Sequence, residues 1–372
     1  MAPFASKIQS ARRILVVNPR GLGDIIHSLP VVAMLRRTLS HAQVDLLASA
    51  HSEDLFAIVP SVRQVLTTPF YPRPKTKLQR YRQRLKVAWR IRKNGYDAII
   101  NLQAIESTSM MIALSRAPYK LALRGMLSPI AMPWLYSDVV DQRWRNQSAY
   151  RFMLESIAAA GFAVGGCHLG PELVDLSRQQ MPDSICAPFF HFSPFTSRTS
   201  RQLPCIESQA LVTGLLQRYP THQLVVSCAA APREAGQIHA MLPAAPAGRI
   251  KVFAGTLSLG QLGLVMAHAD AHIGPDTGSL HLAWLAGAKT VSWFLNHESL
   301  LAWVPYGPQH RILLSLREQV RIGDKAREAE PVPVQCIKAA HILEEVDRLL
   351  SAPLPPREQW WSSDQLGFRC IY

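Results

Sequence analysis

Residues 14–30 read ILVVNPRGLGDIIHSLP. The run of branched aliphatic residues at its start suits a strand buried on both faces, and Gly21 and Gly23 break it before a helical pattern takes over. Strand, glycine-bearing turn and helix make the first half of a βαβ unit, and α/β folds bind ligands at the turn that follows such a strand. The turn does not match a dinucleotide cradle. Ile26 occupies the place of that fingerprint's third glycine, and Ile25 and Ile26 are bulky where a pyrophosphate would lie, so no nicotinamide cofactor is expected. Asp24 sits just past the Gly-x-Gly turn. Its carboxylate is placed either to take a hydroxyl proton as a general base or to complement the helix dipole as an N-terminal acid, and the loop alone allows both.

The same alternation extends outward from this stretch. Strands are expected at Ile14–Asn18, Gln43–Ala48, Val65–Thr67 and Ala98–Leu102, with a helix near Pro30–Leu39. A second series runs through Phe189–Phe192, Gln223–Ser227, Lys251–Phe253, Ala271–Ile273 and Thr290–Phe294, with helices at Ser208–Arg218, Leu259–Ala267 and Leu280–Ala286. This order predicts parallel sheets with crossover helices in two similar halves. A chain of 372 residues fits two domains of roughly 150 to 200 residues each. The Gly-, Pro- and Cys-containing segment Gly161–Pro188 is the expected connection. A last helix is expected from about Gln335 to Leu350, after Pro331 and Pro333, and the tail from Pro353, with Trp360 and Trp361, has no assigned place. The expected domains are therefore residues 1–180 and 188–350, followed by a tail at 351–372. With 48% hydrophobic and 18% charged residues the chain can bury substantial cores. It has no uncharged apolar run of transmembrane length and no signal-type start, which makes the cytoplasm the expected compartment.

The net charge of +14 is uneven: residues 1–185 carry 24 Lys and Arg against 12 Asp and Glu, whereas the rest carries 16 against 14. Between Leu55 and Tyr96 there is no acidic residue. Arg63, Arg73, Lys75, Lys77, Arg80, Arg82, Arg84, Lys86, Arg90, Arg92 and Lys93 fill that interval with positive charge, a field for an anionic partner. Leu78, Tyr81, Leu85, Ala88 and Trp89 recur within it at helical spacing. Either the helix packs through that stripe with a solvated basic face, or residues 73–93 contact the anionic inner face of a membrane or a phosphorylated acceptor. Nucleic acid is not an expected partner, since no recognition-helix, zinc-finger or RNP-type motif is present. The six cysteines lie far apart, without Cys-x-x-Cys or zinc spacing, and read as reduced thiols.

Two further loops carry phosphate chemistry. Gly274-Pro275-Asp276-Thr277-Gly278-Ser279-Leu280-His281 joins a strand to a helix, so the N–H groups of Thr277, Gly278 and Ser279, the helix dipole and His281 can hold a diphosphate. Asp276 would fix the loop or orient a neighbouring donor. Ser193-Pro194-Phe195-Thr196-Ser197-Arg198-Thr199-Ser200-Arg201-Gln202-Leu203-Pro204 combines hydroxyls with two arginines, which also suits phosphate oxygens. For each loop, helix capping or a solvated turn explains the composition equally well.

Taken together, residues 18–30, 196–204 and 274–283, with YDAIINLQ at 96–103, resemble the heptosyltransferases of lipopolysaccharide core assembly. The resemblance spans roughly residues 13–310. It implies an inverting glycosyltransferase of GT-B architecture, two Rossmann-like domains facing across a cleft, with the acceptor on the first and the nucleotide-sugar on the second. It further implies an ADP-heptose donor, an acidic glycolipid acceptor and no cofactor. By that resemblance Asp24 is the catalytic base. Thr196, Ser197, Arg201, Asp276, Thr277, Gly278 and His281 grip the donor, Glu234 holds its ribose, and Gly23, Gln103 and Arg63 meet the acceptor. The same chemistry with another nucleotide-sugar, or with a protein or capsule acceptor, is the competing expectation. The chain departs from the family pattern at Arg201, followed by Leu203-Pro204 where Lys before Trp-Pro is frequent, at Asn101 in place of Asp, and at Ala104 in place of Gly. No Asp-x-Asp pair occurs, so metal independence is expected. Arg201, His281 and the helix N-terminus would then supply the positive charge that a leaving diphosphate needs.

Overall fold

The structure, a computed structural model, describes residues 2–68, 76–246, 248–296, 299–319, 336–360 and 365–371. It divides into two compact units, Met1–Asp175 and Leu176–Tyr372. Arg73 and Lys75 of the basic interval, Pro331 and Pro333, and Trp361 lie outside the described residues.

The first unit is a parallel sheet of β1 (Arg13–Val17), β2 (Gln43–Ser49), β3 (Gln64–Thr68), β4 (Ala98–Asn101), β5 (Tyr119–Leu123) and β6 (Asp138–Val140), in the order β3-β2-β1-β4-β5-β6. Ile14 is in register with Val44 on one side and Ala98 on the other. Four of the five residues of β1 are buried, as a strand covered on both faces requires. Its helices are α1 (Phe4–Lys7), α2 (Leu22–Thr38), α3 (Lys77–Asn94), α4 (Glu106–Ile112) and α5 (Ala149–Ala159). α2 packs with α5 and α3 with α4. Leu15, Val17, Leu47 and Ile99 form one core with Val87 and Ile91 of α3 and Met111 and Ile112 of α4.

One helix expectation is corrected here, and an alternative left open for a second helix is decided. α2 begins at Leu22, eight residues before Pro30, because Gly21 in extended conformation ends the turn at once. Pro30 therefore lies buried inside the helix, where it forgoes one backbone bond, and Asp24 falls in the first turn. α3 forms over the basic stretch between a capping box, Thr76 with Gln79, and left-handed Gly95 at φ +62°. Of the two alternatives for the apolar stripe, the structure excludes packing: Leu78, Tyr81, Leu85 and Trp89 are exposed and only Ala88 of that set is buried. The lane that meets the sheet is Val87, Ala88 and Ile91, equally well spaced for one helical face.

The second unit is a parallel sheet of β7 (Phe189–Phe192), β8 (Gln223–Cys228), β9 (Ile250–Ala254), β10 (His272–Pro275), β11 (Thr290–Asn296), β12 (His310–Gln319) and β13 (Phe368–Ile371), ordered β13-β12-β11-β10-β7-β8-β9. With it go α6 (Cys205–Arg218), α7 (Pro232–Met241), α8 (Leu259–His268), α9 (Gly278–Leu285), α10 (Leu300–Trp303) and α11 (Ala339–Ser351). Phe190, Phe192, Val226, Ile273, Val291 and Trp293 pack against α6 and α11, while Phe189 and Val225 pack against Val265 of α8. The tail contributes the edge strand β13, in register with β12 from Ile312↔Phe368 onward.

Candidate active site

Each sheet has one place where the strand order reverses, and a crevice opens at the C-terminal ends of the two strands that diverge there. In the first unit that place lies between β1 and β4. The first turn of α2, directly after β1, carries Asp24, and the loop after β4 carries Gln103. Gln103 Nε2 donates to Asp24 Oδ1 at 3.2 Å, Arg20 Nε stands 3.4 Å from the same oxygen, and Arg20 Nη1 donates to Gln103 Oε1 at 2.6 Å. Among the described residues no hydrogen bond reaches Asp24 Oδ2, and the side chain keeps 16% of its surface open. One carboxylate oxygen is thus fixed and the other is available. The backbone beneath is tied down as well: Asn18 Nδ2 donates to the Asp24 carbonyl at 2.8 Å, and Ser49 Oγ donates to the Arg20 carbonyl at 2.7 Å. Asp24 makes no capping bond to the N-terminus of α2. Gly23 lies beside it, partly exposed in the first turn.

Asn101, at the end of β4, is fully buried and accepts the Gln103 N–H at 3.3 Å while its amide donates to Tyr136 Oη at 2.8 Å and Thr108 Oγ1 at 3.1 Å. A neutral amide satisfies this arrangement without burying a charge. Arg20, Asn18 and Ser49 were not singled out from the sequence. Arg20 and Asn18 lie inside the quoted loop, but no spacing rule marks them.

Arg63 is not brought to this group. It precedes β3, at the opposite edge of the sheet, where its Nε reaches Asp45 Oδ1 at 2.8 Å and its Nη2 reaches Asp45 Oδ2 at 2.5 Å. Tyr96 Oη donates to the same carboxylate at 2.8 Å. The hydrogen bond to Asp45 raises the Arg63 pKa, and burial followed by the Asp45 charge raises that of Tyr96. Arg63 is a structural cation that neutralises a fully buried aspartate.

In the second unit the order reverses between β7 and β10, and most of the residues expected on the donor gather on the loops after them. Asp276, 4% exposed, pairs through Oδ2 with Arg201 Nη1 at 2.6 Å, and Nη1 also donates to the Asp276 carbonyl at 3.2 Å. Trp293 Nε1 donates to the Arg201 carbonyl at 2.8 Å. Arg201 is therefore oriented at one nitrogen, Nη1, by both the side chain and the carbonyl of Asp276. His281 Nε2 lies 4.0 Å from Asp276 Oδ1, its ring edge-on to Trp303. Thr277 is the extended N-cap of α9, and the first N–H groups of that helix, at Gly278 and Ser279, have no carbonyl within it to bond. Ser279 Oγ is buried without a partner among the described residues. Thr196 is buried and accepts the Arg198 N–H, whereas Ser197 is exposed. Glu234 stands apart, in the first turn of α7 after β8, with Oε2 accepting the Ala229 N–H at 2.8 Å.

Among the described residues no group of three or more His, Cys, Asp or Glu side chains gathers as metal ligands, and no helix is long and apolar enough to cross a membrane.

Comparison with known proteins bears on this geometry. The family model described as glycosyltransferase family 9 (heptosyltransferase) matches residues 84–330. Lipopolysaccharide heptosyltransferase 1 of Pseudomonas aeruginosa is 25% identical over 299 residues, 76% of this chain and 78% of that protein. A glycosyl transferase family 9 structure from Veillonella parvula superposes with a TM-score of 0.69 at 17% identity, covering 91% of this chain and 97% of the other. The E. coli heptosyltransferase WaaC, solved with ADP-2-deoxy-2-fluoro heptose, gives a TM-score of 0.68 at 16% identity, covering 90% and 99%. The fold is GT-B, and the chain belongs to glycosyltransferase family 9, the heptosyltransferases, as a glycosyltransferase.

Proposed function

We propose that the enzyme moves heptose from ADP-heptose to a hydroxyl of an acidic lipopolysaccharide inner-core glycolipid on the cytoplasmic side of the membrane, with inversion at the anomeric carbon. The observation that carries this reading is Asp24, held at the reversal of the first sheet by Gln103 and Arg20 through one oxygen while the other stays open. In the reaction Oδ2 accepts the acceptor hydroxyl's proton, the hydroxyl oxygen forms its bond to the anomeric carbon from the face opposite the diphosphate, and the bond to ADP breaks with its electron pair leaving on the phosphate oxygen. Arg201, steadied by Asp276, and the N–H groups at the start of α9 meet the charge that develops there, with His281 beside them. Thr196, Ser197, Thr277 and Gly278 line the same diphosphate, Glu234 meets the ribose, and Gly23 and Gln103 border the acceptor. The WaaC structure, solved with an ADP-heptose analogue, supports the choice of nucleotide.

Turnover of the purified protein with ADP-heptose, UDP-sugars and GDP-sugars, each with and without excess chelator, tests the proposal. ADP-heptose is the expected substrate, at the same rate in chelator. A preference for uridine or guanosine nucleotides would replace the donor, and a strict divalent-cation requirement would refute the metal-free electrostatics.

A further inference from the structure

α3 carries more apolar surface outward than inward. Leu78 is 67% exposed, Trp89 57%, Leu85 56% and Tyr81 45%, and at steps of three and four residues they form one continuous lane along the helix. Four large apolar side chains in line on a soluble surface require a partner, unlike single scattered ones. The lane is flanked by charge of one sign. Arg82, Lys86 and Lys93 run beside it and Lys77, Arg80, Arg90 and Arg92 complete an exposed basic surface, while α3 itself contains no acidic residue. Among the described residues the one carboxylate that reaches a basic side chain of α3 is Glu106, 3.8 Å from the partly buried Arg84. Lys93 Nζ lies 5.5 Å from the Trp89 ring centre, so cation and aromatic face outward together.

We infer that α3 lies in the plane of an anionic lipid surface, with Leu78, Tyr81, Leu85 and Trp89 sunk into the headgroup–acyl boundary and the flanking Arg and Lys on the phosphates. Both parts of the helix fit that occupant: aliphatic and aromatic tips for the boundary, long cationic stems for the anionic headgroups. A second copy of this chain would set basic lane against basic lane, and nucleic acid has no use for exposed leucines. The position of α3 adds a reason. It follows β3 in a parallel sheet, so its first turn lies at the sheet edge that carries Asp24 and Gln103. Docking by α3 holds that edge close to the lipid surface. This last step rests on the glycolipid-acceptor reading, while the docking itself does not.

The test is co-sedimentation of the full chain with vesicles of phosphatidylethanolamine and phosphatidylglycerol, and with vesicles of phosphatidylcholine alone. The parent is expected on the anionic vesicles. Leu85→Gln with Trp89→Gln is expected to weaken that binding at least about tenfold, and Arg82→Gln with Lys86→Gln to weaken it by a similar factor at low salt. Trp89→Phe should abolish the lipid-induced blue shift of tryptophan emission. All four positions are exposed, so melting temperatures should match the parent's, and turnover of the Leu85/Trp89 variant on a detergent-dispersed acceptor should be unchanged. Failure of the parent to bind anionic vesicles, or binding indifferent to the Leu85/Trp89 pair, overturns the proposal. So does a concentration-dependent dimer that this pair dissolves. Vesicle binding without any glycolipid turnover would leave the docking standing and refute the acceptor. Turnover without vesicle binding would do the reverse.

Discussion

Asp24 is placed by neighbours far away in sequence: Gln103 is 79 residues on, and the Arg20 that closes the triangle is 83 residues from Gln103. If Oδ2 is the base, Asp24→Asn should lower kcat by about 10²- to 10⁴-fold, with calorimetry showing ADP affinity essentially unchanged because the donor loops belong to the other sheet. Gln103→Ala should lower kcat by about tenfold on its own and by nothing further in the Asp24→Asn background, since a positioning residue has no work without the group it positions. Equal losses in both backgrounds would give Gln103 an independent role. At this scale the loop sequence named Asp24 and Gln103 through a resemblance, yet it could not show that Arg20 binds both. An arginine in a polar turn carries no periodicity, and its partner depends on which strands become neighbours. Arg63 meets the same limit. Its charge is visible in sequence, but whether it sits at the ligand edge or the far edge depends on where β3 begins, and there the buried Asp45 claims it.

The strand elements of the second unit carry a pH dependence. His191 on β7 and His272 on β10 are fully buried with Nδ1 atoms 2.8 Å apart, and His191 Nε2 lies 2.9 Å from Ser227 Oγ. His272 Nε2 has no partner among the described residues, so the less costly tautomer leaves it bare, with His272 Nδ1–H donating to His191 and His191 Nε2–H donating to Ser227. Burial pushes His191 down to about 3 and, with the neighbouring His191, takes His272 well below its ordinary value; burial also takes His310 on β12 to about 3. Unfolded, each titrates near 6.5, so below that pH the unfolded chain binds protons that the folded chain refuses. The contribution is complete above about pH 6.5 and is lost as pH falls toward 3, at about 1.4 kcal/mol per pH unit for each histidine. Urea unfolding across that window should show the decline, and His310→Gln should lessen its slope by about 1.4 kcal/mol per pH unit, leaving the share of His191 and His272. A profile without slope would mean that these rings are not held neutral. Element type was the most legible property of this chain, because buried parallel strands read as short aliphatic runs. β5, β6, β12 and β13 escaped notice: Lys120, Asp138, Arg311 and Arg369 interrupt their apolar pattern, and the partner strand, not the local sequence, makes them strands. The roll of α3 stayed open between two alternatives for another reason, since two lanes had helical spacing and the shape of the sheet chose between them.

Across the whole molecule the two units differ in how their charge is distributed. The excess charge is concentrated in residues 1–185 as a broad, exposed field, much of it on α3, whereas the second unit has a near-balanced composition and, for the proposed donor, only the compact group of Arg201, Asp276 and the start of α9. Exposed charges separated by more than about 8–10 Å are screened at physiological salt, but groups in direct contact with a partly buried ligand are screened far less. Substrate encounter with the first unit should therefore respond to ionic strength and donor binding should not. With a phosphorylated acceptor, kcat/KM is expected to fall several-fold between about 50 and 300 mM salt as the steering field is screened, while the KM for the nucleotide-sugar changes less than about twofold. Replacing Arg82 and Lys86 with Gln should reduce the acceptor's salt slope without changing the donor's. Equal slopes for both substrates would show that the charge asymmetry has no part in acceptor capture. The basic interval would then act solely at the lipid surface.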